Sequence, residues 1–440
     1  MVRIPKRLVA GGIALGVATA IRRRGRTRAP HPVWARDAVI YELNTRQHTP
    51  EGTFRALLGR VKELKALGVD IVWFMPIHPI GQVGRKGSLG SYYAITDYMA
   101  VNPEFGTIDD FRRLVDAFHA EGMRVIIDLV ANHTAWDSPM TTAHPEWYKK
   151  ERNGRFKQAH PDWEDVIGLD YRNRALREYM YGMMEYWVRD VGIDGFRCDV
   201  ADYVPTSFWE EARRRLERIK NVFMLAEAES PELLRAAFDC DYASNYFHLF
   251  CRLAKGEAST EDLDALIEKQ HQTYPHGAWR MMFTTNHDQN TWLDSDVNLY
   301  GQDGARAFAL LSFALPGRPL IYSGQEVGNP KRLAFFERDP IDWHTPGAKA
   351  MRAFYTRLCQ VYRSHGSLRH GRMRRLKSTA PIYAFWREAR GETPVLVVAN
   401  LSGESAAWQF PRKPLTDLMT GATVRGELTE IPPWSTFLLA

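Results

Sequence analysis

The sequence predicts an α/β protein built on a parallel (β/α)8 barrel, and three observations carry that expectation. Eight short apolar runs rich in β-branched and aromatic residues alternate with helix-patterned segments over roughly 330 residues. Several runs end on acidic, histidine or arginine residues, which is where a barrel of this kind places its active site. After about residue 368 the pattern changes to short alternating runs separated by Gly, Pro and Ser, which reads as a small all-β domain. The strand count alone leaves a doubly wound open sheet as the alternative.

The runs fall at 39–44, 70–77, 124–130, 195–201, 222–228, 241–247, 279–287 and 319–326. Between them, segments such as TIDDFRRLVDAFHAEG and PTSFWEEARRRLERIK carry apolar residues every three to four positions. Thr107 and Pro205 open helices, and Gly68, Gly122 and Gly192 close them. The stretch 134–172 is long, aromatic and weakly periodic, and a loop of that length inside a compact domain is usually functional. The expected organisation is an N-terminal segment over 1–31, a catalytic barrel over 32–367 with 134–172 as a short inserted domain, and a C-terminal β-sandwich-like domain over 368–440.

With 440 residues, 45% hydrophobic and 25% charged, the chain has globular proportions, which excludes disordered, collagenous and multi-span membrane classes. The formal charge of +6 is unevenly placed. Eight of the 58 basic residues and none of the 52 acidic ones lie in residues 1–31, so the rest carries 50 basic against 52 acidic, about −2. A nucleic-acid-binding body would be basic, so no nucleic-acid partner is expected. Four scattered cysteines with no CxxC spacing read as free thiols.

Residues 8–21 form an apolar run between KR and RRRGR, too short for an ordinary spanning helix and matching a signal-peptide core. Ala18-Thr19-Ala20 supplies a small-x-small cleavage site, whereas the arginines that follow oppose translocation. Three readings stand: a signal peptide or short membrane anchor through residues 8–21, a cytosolic basic tail, or a non-native upstream extension. Location is read accordingly as exported or membrane-anchored, with the cytoplasm as alternative. Oligomeric state is not read from the sequence.

Four strand ends hold the candidate chemistry. The third run leads into Asp128-Leu129-Val130-Ala131-Asn132-His133, the fourth carries Arg197 and Asp199, the fifth ends on Glu227, and the seventh on Asn286-His287-Asp288. Asp199, Glu227 and Asp288 converging on one barrel mouth would repel one another, so one carboxyl is pushed into the range of a general acid. Arg197, two residues before Asp199, shares its strand face and can hold it ionised. No HxH or HExxH motif suggests a histidine-rich zinc site, and no strand end offers a Schiff-base lysine.

DLVANHT, GFRCDVAD, FMLAEAE and FTTNHD resemble, in order and spacing, the four sequence blocks of the α-amylase superfamily of glycoside hydrolases, and GSYYAITDYMAVNPEFGT resembles the family segment after the second strand. The resemblance spans roughly residues 34–440. It implies that Asp199 is the nucleophile, Glu227 the general acid/base and Asp288 the transition-state stabiliser. It further implies that Arg197 orients Asp199, that His133 and His287 hydrogen-bond the sugar, and that Tyr93 stacks on it. Asp128 is structural in this pattern, and Glu229 is a decoy for Glu227. The long third loop is similar to the family's domain B.

No cofactor is needed for the implied chemistry, and Asn132 and Asp170 match positions that bind a structural calcium ion in many members. Three positions depart from the commonest pattern: Ser91 stands where many members have His, and Asp202-Tyr203 replace a frequent Lys-His. The implied activity is retaining hydrolysis of α-1,4-glucosidic bonds in starch-like glucans or maltooligosaccharides. Val200 after the nucleophile leaves α-1,6 tolerance open. Two alternatives remain: a transglycosylase or trehalose-type isomerase of the same superfamily, and a non-catalytic, membrane-tethered partner protein.

Overall fold

A computed structural model describes residues 31–440. Its centre is a closed barrel of eight parallel strands: Ile40–Leu43, Ile71–Phe74, Arg124–Leu129, Gly195–Cys198, Phe223–Ala226, Cys240–Tyr242, Trp279–Met282 and Arg318–Tyr322. They follow one another round the ring, and the first pairs with both the second and the eighth, Ile40 opposite Ile71 and Leu320. Strands covered on both faces read as continuous apolar runs, and these are buried almost throughout. The open-sheet alternative is thereby removed.

Local signals set the helices. Thr107 and Asp110 form a capping box that starts the helix Ile108–Ala120, and Asn173 caps Arg174–Tyr186. Gly68 ends Val61–Leu67 with φ 107°, and its N–H donates to Leu64 O and Lys65 O. A different glycine is demanded at the start of the fourth strand. Gly195 has φ 150°, and a Cβ there would sit 1.9 Å from Phe223 O on the neighbouring strand. Gly195→Ala is expected to destabilise the protein by about 3 kcal/mol or more, read from denaturant unfolding, because the barrel ladder cannot open to make room.

Several strands are shorter than their apolar runs. The largest correction is at 241–247, where the strand stops at Tyr242 and a helix runs Ser244–Ala254. Tyr246, Phe247, Phe250 and Leu253 recur at helical spacing and are buried on one face, so the run holds two elements of different period. The seventh run likewise ends as a strand at Met282, and a helix spans His287–Trp292.

Within 134–172 a two-stranded hairpin pairs His133–Ala135 with Val166–Gly168 around a small cluster of Ala94, Ala135 and Val166. Beyond the barrel, Arg372–Arg375, Ile382–Glu388, Val395–Asn400 and Thr436–Leu439 form a four-stranded antiparallel sheet, with two further two-stranded sheets. Its faces divide by strand alternation. Tyr383, Phe385, Val395 and Val397 join the barrel's core, whereas Ile382, Ala384, Leu396 and Val398 build a separate one with Phe410 and Ile431. All four cysteines are free. The expectations for residues 1–30 lie outside the described residues; within the described residues no helix is long and apolar enough to cross a membrane.

Candidate active site

The candidate residues meet at the carboxyl ends of the barrel strands. Asp128 and Arg197 project from the third and fourth strands, and Asp199 and Glu227 follow the last residues of the fourth and fifth. Their backbone is held in register, Asp199 N donating to Leu129 O and Glu227 N to Cys198 O, each at 3.0 Å. Asn286 caps the helix His287–Trp292 through Gln289 N, which places His287 and Asp288 in its first turn.

One guanidinium organises the cluster. Arg197 Nη1 donates to both oxygens of Asp128 at 2.9 and 3.0 Å and to Asp199 Oδ1 at 3.0 Å. Its Nη2 lies 2.9 Å from Glu227 Oε1, and its Nε donates to Tyr242 Oη at 3.1 Å. Side-chain exposure rises from 0% at Arg197 to 23% at Glu227 and 36% at Asp288, so the cation is sealed beneath carboxylates that reach the cleft. Glu227 Oε2 also accepts from Val200 N at 2.7 Å. That N–H is aimed by a left-handed backbone, φ 35° and ψ 52°, which a β-branched residue adopts only under strain.

Three carboxylates face one buried cation. Burial and then Glu227 push the Asp199 carboxyl well above the usual carboxylate range, with Arg197 opposing. Burial also lifts Asp128 to about 6 against the pull of Arg197.

The two histidines differ. Burial lowers His133 to about 4, leaving a neutral imidazole. Burial alone would lower His287 as well, but Asp288 and Glu42 outweigh it and raise the ring to about 9. Tyr93 bridges the elements: its hydroxyl donates to Asp128 Oδ2 at 3.1 Å and lies 2.8 Å from His287 Nε2, while its ring stacks on Phe335.

Tyr93, His133, Asp199, Glu227, His287 and Asp288 line an open cleft, where Trp163 stands among the lining residues with Trp292, Phe335 and Phe336. Trp292 is 54% exposed. Aromatic faces beside convergent polar groups suit pyranose rings, which present apolar C–H faces and a rim of hydroxyls. Glu229 turns out of the cluster to Arg280 and Asn245 N, because the strand ends at Ala226 and alternation no longer holds.

The calcium site that the resemblance implies at Asn132 and Asp170 is not shown here. Both oxygens of Asp170 are taken by the guanidinium of Arg172 at 2.6 to 3.0 Å, and the Asn132 backbone carbonyl accepts from Leu169 N. A calcium ion would have to displace that cation. Among the described residues no group of three or more His, Cys, Asp or Glu could hold a metal.

Sequence reading passed over Glu42, which reaches the cluster from the first strand to His287. A single acid inside the apolar run VIYELN was the available signal.

A closed barrel with acid, base and arginine at its mouth and aromatic cleft walls is the arrangement found in glycoside hydrolases, enzymes acting on O-glycosyl bonds, and the family match gives that class. The chain belongs to the α-amylase family: the family model described as alpha amylase, catalytic domain, matches residues 39–165 and 136–353. An α-amylase structure from Lactobacillus plantarum is 31% identical, with a TM-score of 0.83 over 92% of this chain and 99% of that one. Alpha-amylase MalA of Haloarcula japonica is 29% identical over 74% of this chain and 49% of its own length. An alpha-1,4-glucan:maltose-1-phosphate maltosyltransferase of Cereibacter sphaeroides is 31% identical over 65% of this chain and 51% of its own. The chain thus spans about half the length of these two curated relatives.

Proposed function

We propose that the protein hydrolyses α-1,4-glucosidic bonds of starch-like glucans or maltooligosaccharides with retention of configuration. The observation that carries this reading is the placement of Asp199 and Glu227 on two nitrogens of one buried guanidinium at the floor of an open, aromatic-walled cleft. Asp199 attacks the anomeric carbon while Glu227 protonates the departing glycosidic oxygen. Glu227 then takes a proton from water, which displaces Asp199 and regenerates the α anomer. Asp288 binds hydroxyls of the distorted sugar, and Tyr93, His133 and His287 hold its ring.

The test is a panel of starch, maltooligosaccharides, pullulan, isomaltose, sucrose and trehalose, with product anomers followed by NMR. First-formed α anomers from α-1,4 substrates are expected; β anomers would overturn the mechanism. A transfer reaction is the second reading, favoured by the maltosyltransferase relative. The same catalytic residues serve both, since the outcome depends on whether water or a sugar reaches the glycosyl-enzyme. Products longer than maltoheptaose from maltoheptaose would establish transfer.

A further inference from the structure

We propose that Glu42 is a positioning residue whose buried carboxylate holds His287 as a doubly protonated imidazolium, so that this ring meets the substrate as a hydrogen-bond donor only. The inference deepens the glycosidase reading and rests on it only for the statement that the ring meets a substrate; the charge on His287 is argued from the hydrogen bonds and the surrounding charges.

Glu42 projects from the first barrel strand, is 0% exposed, and places Oε1 2.5 Å from His287 Nδ1. Its other oxygen, Oε2, has no hydrogen-bond partner among the described residues; burial raises the Glu42 carboxyl, and His287 is the main group that opposes this, with Arg197 adding to it. A buried carboxylate left without a cation would be strongly unfavourable.

His287 Nε2 lies 2.8 Å from Tyr93 Oη, which has one proton to give. Tyr93 gives it to Asp128 Oδ2 at 3.1 Å, a carboxylate that accepts from Arg197 through both oxygens. Arg197 Nη1, 3.4 Å from the same hydroxyl, can only donate. With its proton on Asp128, the Tyr93 oxygen accepts from His287, and Nε2 then carries a hydrogen. Nδ1 faces a carboxylate and carries the second.

The surroundings agree. The charged and titratable groups facing the ring are Glu42 from the first strand, Asp288 from its own helix with Oδ2 3.5 Å from Nε2, Tyr93 from the loop after the second strand, and Arg197 from the fourth. Behind Tyr93 stands Asp128, and Tyr322 of the eighth strand lies within the field of Glu42 and Asp288. Trp73 meets the ring edge-on at 5.9 Å and Phe335 lies 6.4 Å away. Acids outnumber the one opposing cation, and the ring is raised to about 9. His133, in the same cleft and without a carboxylate on its ring, stays neutral and can accept as well as donate.

The experiment is ¹⁵N NMR of the full chain with labelled histidine, the His287 signals being assigned among the 14 histidines by their loss in His287→Gln. In the wild type both His287 nitrogens are expected to show protonated shifts at about pH 7 and to titrate well above the ordinary histidine range. In Glu42→Gln the midpoint should fall by at least about one pH unit, and Glu42→Asp should restore part of the shift. A neutral His287 at pH 7 in the wild type, or an unchanged midpoint in Glu42→Gln, overturns the proposal. If Glu42→Gln does not fold, the wild-type spectrum alone decides. Absence of sugar release in the product panel would instead overturn the glycosidase reading and leave this titration standing.

Discussion

Asp199→Asn is expected to lower kcat by about 10⁴-fold or more on any α-glucan the wild type cleaves, since removing a residue that forms the covalent intermediate removes the pathway. The same variant should be more stable than the wild type. Burial and Glu227 raise the folded pKa of Asp199, so its ionised form costs stability at neutral pH, and that cost disappears as pH falls and the carboxyl protonates. The amide keeps the side chain's shape and removes the charge. A gain in stability at pH 7, shrinking as pH falls, should appear in denaturant unfolding. Residual activity within tenfold of the wild type would remove Asp199 from the nucleophile role, and an unchanged or lower stability would contradict the electrostatic account of the cluster.

Arg197→Met should have the largest effect on folding. The guanidinium is fully buried and answers Asp128, Asp199 and Glu227 together, so its loss leaves a buried cluster of acids with no cation at its centre. Removing one partner of a buried pair typically costs about 3–5 kcal/mol, and methionine fills the volume without relieving the charge. Facing one another unbalanced, the carboxyls would take up protons at higher pH than in the wild type. The destabilisation should therefore be largest at neutral pH and diminish as the solution is acidified. Paired denaturant titrations of both proteins near pH 7 and pH 5 check this. An equal loss at both values would show that Arg197 contributes through packing against Trp73, Tyr93 and Tyr242 rather than through charge.

Much of this site was legible because barrel architecture ties function to strand ends. Asp199, Glu227 and His287 each stand near the end of an apolar run and Asp288 just past one, and Arg197 precedes Asp199 by two residues on one strand face. The four-block resemblance then assigned them roles. Tyr93 lies at the cluster in the structure, beside Phe335 and His287, which come from far along the chain.

Other features were not legible, for identifiable reasons. DYASNYF reads as a strand because a short apolar run does not reveal its period; the change at Ser244 emerges only when Tyr246, Phe247 and Phe250 are seen to share a helix face. Glu229 shares the alternation of Glu227 in sequence, yet the chain leaves the strand after Ala226 and carries Glu229 to Arg280. Asp170 matches a calcium-ligand position, and its pairing with Arg172 two residues on appears only in the fold.

The sequence by itself determined the barrel, the positions of its strands to within a few residues, the β-rich C-terminal region and the residues that gather at the mouth. Burial patterns repeat locally at periods of two and near four, and apolar patterning records them directly. Tertiary structure alone decided how charge is distributed among those residues: which acids share Arg197, and which histidine is cationic. Glu42 and His287 are 245 residues apart and meet at 2.5 Å. Charge state is set by distance and burial in space, and neither is written in the order of the chain.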